Sequence, residues 1–152
     1  MPYYKSRLEN FAEIAEFINI NNISLIDNNP VLINKFREFI TPITEDLLKF
    51  LNVNNFIIYG GWIANYPTGT STPLHHHGNG TDAEVCDYVL PIVLETSGHS
   101  GPLLYKEFDE VETILLNTGD VMLISNRNGV LHGLDEAKGN FKAFVLRINL
   151  PT

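Results

Sequence analysis

The chain has 152 residues, 44% of them hydrophobic and 18% charged, the make-up of one globular domain long enough to bury its own core. A formal net charge of -8, with only ten Lys and Arg spread along the sequence, argues against a nucleic-acid backbone as partner. The single Cys86 excludes an internal disulfide and suits a reducing compartment, and no leader or long apolar run is seen, so a cytoplasmic protein with no membrane association is expected.

Residues 5–52 read as helical. Leu8, Phe11, Ile14, Ala15 and Ile18 recur at three- and four-residue spacing and form one amphipathic face. Asn29-Pro30 and Thr41-Pro42 each look like a helix N-cap followed by proline at the first helical position. Behind them, Val31, Leu32 and Phe36, then Ile43, Leu47, Leu48 and Leu51, form the apolar faces of two short helices that would pack on a sheet.

From Asn55 the texture changes to short apolar runs separated by Gly, Asn, Asp and Ser: 56–59, 62–66, 88–94, 102–105, 113–116, 121–124 and 141–150. Pro91 should place part of its run at an edge or a bulge. The expected architecture is one mainly-β (α+β) domain over 1–152. A helical support layer over 1–52 packs against a double-stranded β-helix, the jelly-roll or cupin-like barrel, over 53–152.

Four of the five histidines fall in two places, the triplet His75-His76-His77 and the solitary His132 after the Gly119-Asp120 turn. On a strand, residues two apart share a face, so His75 and His77 can reach one ion while His76 points away as an outer or surface residue. A third imidazole from His132 on a distant strand completes a set that leaves coordination positions open for chemistry. A solvated loop run is the bland alternative for the triplet, and a structural role for His132. His99, in Ser97-Gly98-His99-Ser100-Gly101, reads as a hairpin tip outside the site.

From Tyr66 to Leu150 the chain resembles the non-haem Fe(II)/2-oxoglutarate-dependent oxygenases. Tyr66-x-x-Gly69-x5-His75-x-His77 is similar to the family's run into its metal motif, and Gly101-Pro102-Leu103-Leu104-Tyr105 to the strand after the metal loop. Gly119-Asp120 through His132 resembles the strand ending in the distal histidine, and Arg147-Ile148-Asn149 the strand that anchors the co-substrate. The resemblance implies iron held by His75, His77 and His132, no catalytic acid or base beyond those ligands, and oxidative decarboxylation of 2-oxoglutarate to succinate coupled to hydroxylation. A peptide or small-molecule substrate would suit the acidic chain better than nucleic acid.

Two positions depart from the family pattern. The family supplies Asp or Glu where this chain has His77. Three neutral imidazoles leave both charges on Fe(II), which favours an anionic co-ligand, and Asp82 or Glu84 is an alternative carboxylate donor. Three-histidine sites occur in the related cupin dioxygenases, which bind substrate directly to iron, and loss of the carboxylate also fits a non-catalytic sensor or binding barrel. The second departure is the anchor. A buried dicarboxylate needs a cation, and arginine offers a two-pronged one. Ala143, Val145, Arg147 and Asn149 share one strand face while Phe144, Leu146, Ile148 and Leu150 share the other, so Arg147 and Asn149 suit a ligand-lined interior. Lys142, ten residues after His132, competes as the anchor, and Tyr66 is a candidate hydrogen-bond donor to the same carboxylate. An ordinary salt bridge at the end of the sheet is the plain alternative for Arg147.

Overall fold

The computed structural model describes residues 3–67, 69, 72–75, 86–96, 101–107, 110–126, 130–134 and 140–151; at 72–75, 102, 104, 130–132 and 134 it describes the backbone only. The elements in chain order are β1 (Tyr4–Arg7), α1 (Phe11–Ile20), α2 (Pro30–Phe39), α3 (Thr41–Leu51), β2 (Ile57–Tyr66), β3 (Thr72–His75), β4 (Tyr88–Thr96), β5 (Gly101–Glu107), β6 (Glu110–Leu116), β7 (Asp120–Ser125), β8 (Val130–Leu134) and β9 (Phe141–Asn149).

The three helices form where the apolar spacing predicts them. Asn29 caps α2, its side-chain oxygen accepting the Leu32 amide at 3.1 Å, with Pro30 following at the start of the helix. Thr41 does not cap α3. It is the first residue of that helix, and because only Ile40 separates α3 from α2, its hydroxyl donates to the Arg37 carbonyl instead (3.3 Å). The helical reading fails for residues 5–10, Leu8 included, and for 21–29, which lie outside the helices. Tyr4–Arg7 pairs antiparallel with β7, from Tyr4↔Leu123 to Arg7↔Asp120, and the Leu8 amide continues the contact to the Gly119 carbonyl at 2.8 Å. Burial alternates along these four residues, the signature of a half-covered edge strand rather than of a helix.

Among the described residues nine antiparallel strands make two sheets, a five-stranded one in the order β1-β7-β4-β9-β2 and a four-stranded one in the order β3-β8-β5-β6. β9 sorts its side chains as its alternation predicts. Phe144, Leu146 and Ile148 join the core shared with the helices, and Phe144 stacks on Phe36 of α2 with ring centres 4.4 Å apart. Phe141, Ala143 and Val145 join a second core with Leu103, Tyr105, Ile114 and Leu116 of the smaller sheet. Each fully buried Leu, Ile or Phe contributes about 1.5–3 kcal/mol, so these two layers carry the stability of the fold.

Pro91 occupies a central strand rather than an edge. It lies opposite Val145 of β9, and the register with β7 runs from Val89↔Ile124 to Ile92↔Val121 with no pair at Leu90 or Pro91. The missing proline N–H therefore falls where that ladder is interrupted. Among the described residues no helix is long and apolar enough to cross a membrane.

Candidate metal and carboxylate site

The smaller sheet joins the two histidine segments. His75 on β3 is the register partner of His132 on β8, His132 that of Tyr105 on β5, and Tyr105 that of Glu112 on β6. The adjacent row runs through Thr72, Leu134, Leu103 and Ile114. Positions directly opposite each other in an antiparallel ladder lie on one face. Tyr105, Leu103 and Ile114 are buried in the core between the sheets, so the row containing positions 75 and 132 belongs to that inner face. An irregularity between Thr72 and His75 sets two residues of β3, 73 and 74, against the single Gly133 of β8. Just before it, Gly69 has a φ of +88°, a conformation that a residue with a side chain adopts only with strain. His76, His77, Asp82, Glu84 and His99 lie outside the described residues. Among the described residues no three His, Cys, Asp or Glu groups converge.

Arg147 lies on the inner face of the larger sheet, opposite Gly60 on one side and Val89 on the other. Its guanidinium is already engaged. Nη1 donates to Asp27 Oδ1 at 2.7 Å and Nη2 to Asp27 Oδ2 at 3.0 Å, while the guanidinium carbon lies 4.8 Å from the centre of the Trp62 ring. The Gly61 amide also donates to Asp27 Oδ1, at 3.0 Å. Asp27 reaches this point because Ser24–Ile26 runs along β2, with the Ile63 amide on the Ser24 carbonyl (2.9 Å) and the Ile26 amide on the Gly61 carbonyl (3.0 Å). Gly60 makes room, since a Cβ there would collide with Asp27 Oδ1. One donor is left over: Arg147 Nε is buried and has no partner among the described residues.

The remaining expected co-substrate residues divide. Tyr66 is half-buried against the inner core with its ring 6.0 Å from that of Phe141. Lys142 lies between Phe141 and Ala143, both inner residues, and so belongs to the opposite face, beside exposed Asn65 and Glu95. Asn149 is engaged at the strand end, its side-chain oxygen accepting the Asp87 amide at 3.0 Å while Asp87 Oδ2 accepts the Leu150 amide at 2.7 Å. The structure therefore brings positions 75 and 132 together, keeps Arg147 on the inner face, and directs Lys142 and Asn149 elsewhere.

Sequence reasoning missed Asp27, Trp62 and the core-facing Tyr105. Asp27 is 120 residues from its partner and sits in an Asn-rich turn that resembles any solvated loop. The one available signal was the Gly60-Gly61 pair inside an apolar strand, which marks a close approach of another group.

With this geometry the chain has the fold of the Fe(II)/2-oxoglutarate oxygenases. It is similar to a prolyl-4-hydroxylase of Pseudomonas putida, at 14% identity and a TM-score of 0.64 over 97% of this chain and 84% of the other. It is also similar to the viral collagen prolyl hydroxylase of Paramecium Bursaria Chlorella virus-1, solved with 2-oxoglutarate, at 15% identity and 0.63 over 100% and 97%. HygX of Streptomyces hygroscopicus, solved with iron bound, matches at 14% identity and 0.63 over 97% and 82%. No protein-family model matches the sequence, and no curated protein matches it closely enough to count as a relative.

Two features of the described residues bear on the iron and 2-oxoglutarate with which HygX and the viral prolyl hydroxylase were solved. Two histidine positions share one row of the inner face, and the buried Arg147 Nε–H, without a partner among the described residues, lies on the inner face of the facing sheet. A metal takes the first kind of donor and a carboxylate the second.

Proposed function

We propose that the chain is an Fe(II)- and 2-oxoglutarate-dependent dioxygenase, a hydroxylase of a protein side chain or a small molecule, built on a double-stranded β-helix. The register pairing of His75 with His132 on the inner face carries this reading. His75, His77 and His132 would hold the iron, and Arg147 would receive the far carboxylate of 2-oxoglutarate. When bound, iron and 2-oxoglutarate with dioxygen supply an oxidant for a substrate C–H bond and leave succinate and carbon dioxide. The chain's own share is orientation and exclusion of water. The aliphatic walls contributed by Ala64, Val93, Ala143 and Val145 line the inner core and keep it dry. No side chain is asked to act as acid or base. The acidic chain with one buried cysteine suits a cytoplasmic enzyme acting on a peptide or metabolite, with no nucleic-acid or membrane partner.

A second reading is favoured by one observation, the Asp27 carboxylate already on Arg147. In a three-histidine dioxygenase that binds substrate directly to iron, no dicarboxylate would need that arginine. The two separate in one experiment. Anaerobic Fe(II) protein given 2-oxoglutarate should develop a weak visible metal-to-ligand charge-transfer band under the first reading. No band, together with oxygen consumption that does not depend on 2-oxoglutarate, would establish the second.

A further inference from the structure

We propose that Asp27 is an internal competitor for the carboxylate that Arg147 receives, the two exchanging on the guanidinium as ligand enters. This rests on the reading of Arg147 as the 2-oxoglutarate anchor.

Asp27 binds end-on across both terminal nitrogens, at 2.7 and 3.0 Å, the geometry that an incoming carboxylate would seek. One guanidinium charge does not hold two carboxylates side by side without like-charge repulsion, so the external group gains most by taking the place of the internal one. The partners are unequal in access. The Arg147 side chain is 7% exposed and lies against Trp62, whereas that of Asp27 is 24% exposed. The carboxylate is therefore the more accessible of the two groups.

The movement required is small. Ile26 is fully buried and its amide donates a hydrogen bond to the Gly61 carbonyl, so the backbone stays in place up to the residue before Asp27. Turning the Asp27 side chain outward frees the fork of Arg147. A buried guanidinium without a partner is strongly unfavourable, so Asp27 departs only as another carboxylate arrives. The result is an exchange, with no open intermediate state. It also predicts a tax on affinity, because each ligand must displace a partner that is tethered at high local concentration.

Gly61 reports on the exchange, since its amide donates to the same Asp27 oxygen. The test uses Ni(II)-loaded wild-type protein, Asp27→Asn and Arg147→Gln, with 2-oxoglutarate affinity measured by calorimetry and Gly61 amide exchange followed by NMR. Asp27→Asn should bind at least about tenfold tighter, since an intramolecular competitor is removed. Arg147→Gln should lose binding, and the wild-type Gly61 amide should lose protection on saturation with 2-oxoglutarate. Equal or weaker binding by Asp27→Asn, or an unchanged Gly61 amide at saturation, overturns the exchange while leaving the oxygenase reading intact. Retained binding by Arg147→Gln overturns it by moving the anchor elsewhere. Absence of 2-oxoglutarate binding in both wild type and Asp27→Asn overturns the exchange and the functional reading together. The Gly61 measurement needs no variant, so misfolding of either one does not remove the test.

Discussion

His75 and His132 are direct partners across the β3–β8 ladder, in the same row as the buried Tyr105. A metal ion needs imidazoles within a few ångströms of one another, and adjacent strands lie about 4.8 Å apart. Two segments far apart in sequence thus lie on adjacent strands, with positions 75 and 132 directly opposite.

Replacing His75, His77 or His132 by Ala should lower the metal content of tag-free protein at least about tenfold, since even an outer-sphere change at a metal site costs about 10–100-fold. Elemental analysis of each variant, with circular dichroism to confirm folding, measures this. Unchanged iron in both His75→Ala and His132→Ala would refute the proposed centre.

The Asp27–Arg147 pair should reveal its unequal burial in stability. Asp27→Ala strands a buried cation and should cost about 3–5 kcal/mol, whereas Arg147→Met leaves a carboxylate that already reaches water and should cost about 2–3 kcal/mol. Urea unfolding in the absence of ligand gives both values. The reverse order would mean that Arg147 gains a partner from elsewhere when Asp27 is lost.

Gly60→Ala should destabilise the protein by about 1–3 kcal/mol because the new methyl collides with Asp27 Oδ1. In an Asp27→Ala background most of that cost should vanish, so a double-mutant cycle assigns the clash to this one contact.

Gly119 has a φ of +93°, and a Cβ there would lie 2.9 Å from Phe11 Cδ1. Gly119→Ala should therefore cost about 1–2 kcal/mol from the left-handed backbone alone. Phe11→Ala should relieve only the steric share, leaving the backbone penalty in a cycle of unfolding measurements.

Burial first, and then the Glu112 carboxylate that accepts its hydroxyl proton, push Tyr3 above the ordinary tyrosine value of 10.0. The folded state thus retains a proton that the unfolded chain releases, so this contribution is complete below pH 10.0 and is lost as pH rises through the folded value. Thermal unfolding across that range should show a decline in stability that is smaller in Tyr3→Phe. Identical profiles would discount the Glu112 contact.

Features set by local spacing were legible in the order of residues alone. Apolar periodicity marked the three helices, alternation assigned the faces of β9, and the histidine pattern singled out two positions, 75 and 132, that β3 and β8 pair, while His77 lies outside the described residues. Only tertiary structure decided which distant groups meet. Tyr4–Arg7 is too short to show its strand character without the edge of β7 to pair with. Pro91 resembles an edge residue until the ladder beside it proves to be interrupted. Lys142 competed with Arg147 as anchor, and the pairing of β9 with β2 and β4 sets the two on opposite faces. Asp27 carried no mark at all, because a charge in a polar turn is ordinary until the chain folds and sets it against a buried cation 120 residues away.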